Sequence, residues 1–340
     1  MTMREAELYR QLENGLVACD LCAHACRLKP GRTGICGVRV NRDGKLYTRV
    51  ADLVIAAHVD PIEKKPFYHV LPASSSYSLA APGCNFRCRH CQNHEISQMP
   101  FIRGELVGES RRPGELVREA VACGCRSIAY TYTEPTIYFE LMTAVAARAR
   151  KAGLYNLMVT NGYLSAAARQ RLYGLIDAAN IDLKAWSDTF YRRICNARSL
   201  RPVLETIADF RARGIWVEVT TLLIPGYNDD PGELEALARF LVSVDPAIPW
   251  HVTGFFPTWR LTSAPPTPPE TIARAREIGL AAGLHYVFAG NRPGLGGEDT
   301  CCHRCGERLI RRYGFRVLEN RIVDSRCPAC RTPVAGIFAP

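Results

Sequence analysis

Lysine is scarce in this 340-residue chain. Six lysines stand beside 37 arginines, so the net charge of +10 is almost wholly guanidinium. That charge is spread along the chain and forms no basic tail; it permits an anionic or nucleic-acid partner without pointing to one. No run of about 18 apolar residues occurs, which predicts no membrane-spanning helix. The opening MTMREAELYR lacks the basic-then-apolar pattern of a secretion signal, so a cytoplasmic protein is expected. No GxGxxG follows the first strand-like run, which argues against a dinucleotide-binding sheet, and no repeat recurs at a period of 20–50 residues. Disorder is excluded too, because 47% of the residues are hydrophobic and 22% charged.

Cysteine is abundant. Fifteen cysteines in a chain without export signals point to metal rather than to disulfides. They fall into three groups: Cys19, Cys22, Cys26 and Cys36; Cys84, Cys88 and Cys91; and Cys302, Cys305, Cys327 and Cys330. Cys123, Cys125, Cys195 and Cys301 remain and read as small hydrophobes or bystanders.

Between the second and third groups, β-rich runs alternate with helical patterns. The runs cover 78–81, 127–132, 155–160, 180–184, 216–223, 251–256 and 285–289. Helices are expected over 113–123, 136–152, 165–176, 200–213, 231–244 and 269–282. This alternation predicts an α/β protein built as a parallel βα barrel or partial barrel. Three modules follow: a cysteine-rich part over 1–75, the barrel over 76–298 and a four-cysteine tail over 299–340, with 291–299 as a linker. The charged run 60–66 reads as a lid segment or a surface turn.

Cys84-x-x-x-Cys88-x-x-Cys91 follows the first barrel strand. Three soft thiolates suit an iron–sulfur cluster with one iron left open for a ligand. A zinc knuckle completed by His90 or His94 is the alternative. CNFRCRHC in this place resembles the signature of the radical S-adenosylmethionine (SAM) superfamily, including Phe86 before the second cysteine. The resemblance implies a 4Fe–4S cluster on Cys84, Cys88 and Cys91 and SAM on the open iron. It further implies reductive cleavage of SAM to a 5′-deoxyadenosyl radical, which takes hydrogen from a substrate.

Later strand ends extend the likeness. Thr131-Tyr132-Thr133-Glu134-Pro135 stands where pyruvate formate-lyase activating enzymes have a Gly-Gly-Glu-Pro turn that holds the SAM amino group. Thr160-Asn161-Gly162 and Asp182-Leu183-Lys184 are similar to their Thr-Asn-Gly and Asp-Leu-Lys, and the stretch from Ile224 to Asp229 to the part that packs on adenine. The resemblance thus implies Phe86, Tyr132, Thr133, Glu134, Asn161, Asp182, Lys184, Ile224 and His251 as cofactor-binding residues, although His251 reads equally as an interior histidine. Val159 replaces the acid that precedes Thr-Asn-Gly in those activators. Through Cys19–Arg39, Ala57–Pro72, Ala129–Ile137, His251–Arg260 and the last cysteine module, the chain looks over nearly its whole length most like the AmmeMemoRadiSam-system radical SAM enzymes. Their likeness implies a reductant such as flavodoxin or ferredoxin and an unidentified small-molecule or protein substrate. A glycyl-radical-enzyme activase is the alternative within enzymes; a zinc-ribbon nucleic-acid-binding protein is the alternative outside them.

The paired C-x-x-C knuckles of Cys302, Cys305, Cys327 and Cys330 have zinc-ribbon spacing. They read as a folding staple, or as a docking module aided by Arg308, Arg311 and Arg312. The N-terminal quartet fits either zinc or an auxiliary iron–sulfur cluster.

Overall fold

A computed structural model describes residues 3–292, 294 and 296–338. Pro293 and Leu295 of the expected linker, and the extreme ends of both outer modules, lie outside the described residues. Seven parallel strands stand side by side in chain order: β2 (Ser75–Ala80), β3 (Ser127–Tyr130), β4 (Tyr155–Thr160), β5 (Ala178–Asp182), β6 (Trp216–Leu223), β7 (Trp250–Gly254) and β8 (Val287–Gly290). An eighth strand, β1 (Ala56–Pro61), adds to the edge antiparallel to β2. Six helices connect the parallel strands: α1 (Pro113–Ala122), α2 (Phe139–Lys151), α3 (Ala166–Leu172), α4 (Arg201–Ala212), α5 (Pro231–Val244) and α6 (Pro269–Ala281). Among the described residues β1 and β8 remain unpaired edges, so the sheet is a partial barrel. Every expected strand and helix is present, with ends shifted by a few residues.

Local chemistry accounts for the helix starts. Proline stands within the first turn of α1, α4, α5 and α6, where its missing N–H costs nothing. Asp230 and Ser165 accept from the third residues of α5 and α3 at 3.0 and 3.1 Å. The near-continuous burial of β3 and β7 is that of strands covered on both faces.

The run expected as a lid or surface turn does something else. Residues 62–71 form a strap inside the concave face of the sheet. Ile62, Phe67, Val70 and Leu71 pack on Ala129, Leu157, Ala178 and Trp216. Inward side chains tie its backbone: Asn180 donates to Pro66 O at 2.7 Å, and Glu218 accepts from the amides of Tyr68 and His69 at 3.0 and 2.8 Å. The strap therefore fills the barrel interior. The boundary expected at residue 75 runs through the β1–β2 unit, because β1 belongs to the main sheet.

The tail forms an antiparallel hairpin, β9 (Arg308–Tyr313) and β10 (Arg316–Asn320), packed on Tyr286 and Phe288 beside the edge strand β8. Arg312, expected as a docking arginine, is buried; it donates to Tyr68 O at 2.7 Å and stacks over the Tyr68 ring. It anchors the tail to the strap. No helix among the described residues is long and apolar enough to cross a membrane.

Candidate functional site

The C-terminal ends of the parallel strands open into a cavity of about 600 Å³. Loops at this face carry the active sites of barrel enzymes. Cys84, Cys88 and Cys91 line the cavity from the loop after β2, with Phe86 packed behind them edge-on to Tyr163 at 5.1 Å. The loop is held from below by a short π-helical segment, Tyr191–Cys195, whose Cys195 and Ile194 carbonyls accept from Arg87 and Arg89, both at 2.9 Å. Cys195, read from sequence as a leftover thiol, is buried at the end of this segment, where that burial, helped by the Cys88 charge, pushes its pKa up.

The three thiols suit a cluster better than one ion. Among the described residues only Cys302, Cys305, Cys327 and Cys330 bring three or more metal-ligating atoms all within 4.8 Å of one another. The barrel triad is spaced more widely, and neither His90 nor His94 joins it in such a group. Donors are in place for sulfur: the Phe86 N–H lies 3.3 Å from Cys84 Sγ, and Ser97 Oγ 3.3 Å from Cys91 Sγ. The buried Asn85 Nδ2 has no protein partner beside this triad. Such hydrogen bonds tune cluster potentials.

Around the triad, β3 runs out into Tyr132, Thr133 and Glu134. Tyr132 takes the left-handed conformation, φ +62°, that a glycine adopts freely. For a tyrosine this costs on the order of 1–2 kcal/mol. Three contacts hold it there: its hydroxyl donates to Asp60, Lys65 lies 4.0 Å over its ring, and its carbonyl accepts from Asn93 at 2.9 Å. Burial pushes the Asp60 carboxyl up, but Lys64, Lys65 and Tyr132 outweigh it and hold it well below the usual range. Burial draws Lys65 down to about 8 against the pull of Asp60. The shifts oppose each other, yet the pair is ionic at pH 7, since a lysine at about 8 is still mostly protonated there.

Glu134 braces two strand ends. Its Oε1 accepts from Thr136 N (3.0 Å), Thr136 Oγ1 (2.5 Å) and Thr160 Oγ1 (2.7 Å), and its Oε2 accepts from Asn161 N at 2.8 Å. Oε1 is saturated, while Oε2 has room for one more donor. Burial pushes this carboxyl above its ordinary value despite those donors. Asn161 Nδ2 in turn donates to Asn85 Oδ1 at 2.7 Å, coupling the end of β4 to the cysteine loop. Thr133 Oγ1 donates to Ala81 O.

Asp182 and Lys184 at the end of β5 pair at 2.9 Å on the cavity wall. Burial works against the Lys184 ammonium, but Asp182 and the thiols of Cys88 and Cys195 outweigh it and raise its pKa. His251 on β7 lines the cavity and is also held in the interior, its Nε2 2.6 Å from Glu218 Oε2. Burial pushes the Glu218 carboxyl up, but His251 and His69 outweigh it and lower it. Ile224, by contrast, is fully buried and does not line the cavity. Its amide donates to Asn228 Oδ1, so it belongs to the turn after β6.

Sequence reasoning missed Lys65, Tyr68, Thr220, Thr253 and Phe315, all lining the cavity. The threonines carry a signal in hindsight, as inward positions of β6 and β7. Phe315 carries none, because its place depends on how the tail docks.

Of the two outer quartets, the C-terminal one is compact. Cys302–Cys330 and Cys305–Cys327 stand 3.6 and 3.7 Å apart, close to the edge of about 3.8 Å for a tetrahedron with metal–sulfur bonds of about 2.3 Å. In the N-terminal quartet Cys19, Cys22 and Cys36 are buried and Cys26 half-buried. The four sense one another's charge, yet they do not gather within 4.8 Å.

An open parallel barrel with three cysteines and convergent polar groups at its mouth has the layout of a barrel-enzyme site. The sequence pattern described as the Radical SAM superfamily matches residues 79–241, and the barrel of this chain is a radical SAM domain. An uncharacterized protein of Methanocaldococcus jannaschii is 42% identical over 331 residues, covering 96% of this chain and 98% of that one. A second protein of that organism, provisionally named a glycyl-radical enzyme activating enzyme, is 27% identical over 61% of this chain and 78% of its own length. The solved radical SAM methyltransferase of Sphaerobacter thermophilus shares the fold, with a TM-score of 0.51 and 18% identity over 71% of each chain.

Proposed function

We propose that this enzyme binds a 4Fe–4S cluster through Cys84, Cys88 and Cys91 and directs a radical from SAM at a small substrate, or a short substrate segment, held in the barrel mouth. One observation carries the reading: a single cavity is lined by the three thiols together with Glu134, Asn161, Asp182 and Lys184. When bound, the cluster supplies the electron that splits SAM into methionine and a 5′-deoxyadenosyl radical. The chain's own residues do the rest. The Asp182–Lys184 pair offers one charge of each sign to the amino-acid end of SAM, and Glu134 Oε2 keeps one acceptor position. The strap and tail floor the cavity and limit water, which protects a radical. A volume of about 600 Å³ falls in the range of small-molecule sites.

The same reading gives the tail a zinc ion on Cys302, Cys305, Cys327 and Cys330 and gives the enzyme a ferredoxin or flavodoxin as electron donor. AmmeMemoRadiSam-type function accords with it. Activation of a glycyl-radical protein is the second reading, favoured by the relative of that name and by Phe315, a half-exposed aromatic at the cavity. A nucleic-acid-binding ribbon is not favoured, because its central arginine is spent on an internal contact.

The test is anaerobic incubation with dithionite and SAM. Wild-type enzyme forms 5′-deoxyadenosine, and Cys88→Ala forms none. Equal product from the variant lacking its barrel cluster overturns the reading. Stimulation by a small-molecule fraction, against stimulation by a macromolecular one, separates the two substrate classes.

A further inference from the structure

The N-terminal quartet lies directly against the barrel cysteine loop. Gly83, the residue before Cys84, has φ +108°, and a Cβ there would sit 2.7 Å from Val38 Cγ1 and 3.1 Å from the Cys36 carbonyl oxygen. Only a glycine lets the two backbones approach this closely. On the other flank His24, two residues from Cys22, bonds through Nε2 to the Asn85 carbonyl at 2.9 Å. The His24 ring also packs on Tyr163 at 4.9 Å, which in turn packs on Phe86. Backbone contacts complete the join: Ala23 N donates to Tyr163 O at 3.1 Å, and Cys22 bridges Leu164.

Like the barrel triad and unlike the tail, the quartet has no three thiols all within 4.8 Å of one another. The four tail thiols already sit at one-ion distances, whereas the N-terminal four stand farther apart than that. Arg39 is buried beside them, its Nη1 3.8 Å from Cys19 Sγ while its Nη2 pairs with Glu140, so it offers a held N–H donor to a thiolate ligand. Cys26 is the member nearest solvent.

We propose that Cys19, Cys22, Cys26 and Cys36 hold a second iron–sulfur cluster that relays electrons to the barrel site. A one-electron donor of the ferredoxin or flavodoxin class reduces this cluster by one electron at the Cys26 side. The cluster returns to its oxidised state by passing that electron across the His24–Asn85 and Cys36–Gly83 contacts. No proton or atom is transferred.

The test uses the full chain, reconstituted anaerobically with iron and sulfide, in the variant C84A/C88A/C91A. The expected result is about four iron and four sulfide per chain. After reduction the paramagnetic signal should be unaltered by SAM, since no barrel cluster remains. One zinc per chain reports that the tail is folded. Loss of all iron, with a second zinc in its place, overturns the proposal. A companion variant, Cys26→Ser, should keep a barrel signal that SAM perturbs. Its 5′-deoxyadenosine formation should be slowed severalfold with a protein donor but not with dithionite; equal rates with both donors overturn the relay. A wild-type signal that SAM never perturbs would count against the barrel reading, and the triple variant's iron content is independent of that result.

Discussion

Two four-cysteine modules flank the barrel, and they are built on different principles. The tail closes on itself: two knuckles at the base of a hairpin bring four sulfurs to within one ion's reach, and the module's own core is small. A segment of about forty residues buries too little surface to fold unaided, so a metal staple is the expected remedy. The N-terminal quartet instead merges with the main core, where Cys19 and Cys36 pack with the barrel's own hydrophobic residues. Its buried Arg39–Glu140 ion pair fastens it to α2. On the reading proposed above, the tail relies on a metal to fold, whereas the N-terminal module has a scaffold already and places its thiols beside the barrel cysteine loop.

The comparison can be broken where it is strongest. Cys327→Ser should lower zinc by one per chain and expose the tail to proteolysis, because structural zinc contributes several kcal/mol or more of folding free energy. The barrel should keep its iron, as metal analysis would show; iron lost in step with zinc would mean the modules are not separable.

Next in size is the fastening of the N-terminal module. Arg39→Met leaves Glu140 buried without its partner and should cost about 3–5 kcal/mol in denaturant unfolding. Arg39→Met combined with Glu140→Leu should recover most of that. A cost well under 1 kcal/mol for the single change would show that the N-terminal module does not share the barrel's unfolding transition.

Acid should act on the tail side. His69 joins strap to tail, its Nδ1 2.7 Å from Ala335 O, and burial draws its pKa down to about 4. The unfolded chain, with an ordinary value near 6.5, therefore takes up the proton first as pH falls. The contribution is complete above about pH 6.5 and is lost between there and pH 4, at most roughly 3 kcal/mol from the shift. Stability measured across that window should show the loss, and His69→Gln should flatten it.

The smallest effects belong to the cavity charges. Lys184→Ala and Glu134→Gln should each weaken SAM binding about ten- to a hundredfold, equivalent to roughly 1.5–3 kcal/mol, with the cluster retained. Titration calorimetry on the reconstituted enzyme measures this, and unchanged affinity in both would make them strand-end braces only.

Much of this was legible in the chain. The seven parallel strands and six helices follow from apolar periodicity, and the cysteine loop from its spacing. The strap was not, since Asp60–Pro66 is as charged as a surface turn. Its burial depends on Glu218 and Asn180, residues distant in sequence whose inward aim only the assembled sheet reveals. Arg312 was misread for the same reason: an arginine in a hairpin looks like a docking residue until Tyr68 is seen beneath it. Tyr132 hid a backbone signal, because the glycine-like turn survives there without glycine, held by Asp60 and Lys65.

The most direct test of the contrast between the modules is anomalous diffraction from one anaerobically grown crystal, recorded on both sides of the iron and zinc edges. The account predicts iron peaks at Cys84, Cys88 and Cys91 and at the Cys19–Cys36 quartet, with a lone zinc peak between Cys302, Cys305, Cys327 and Cys330. Zinc at the N-terminal quartet, or iron in the tail, would contradict it.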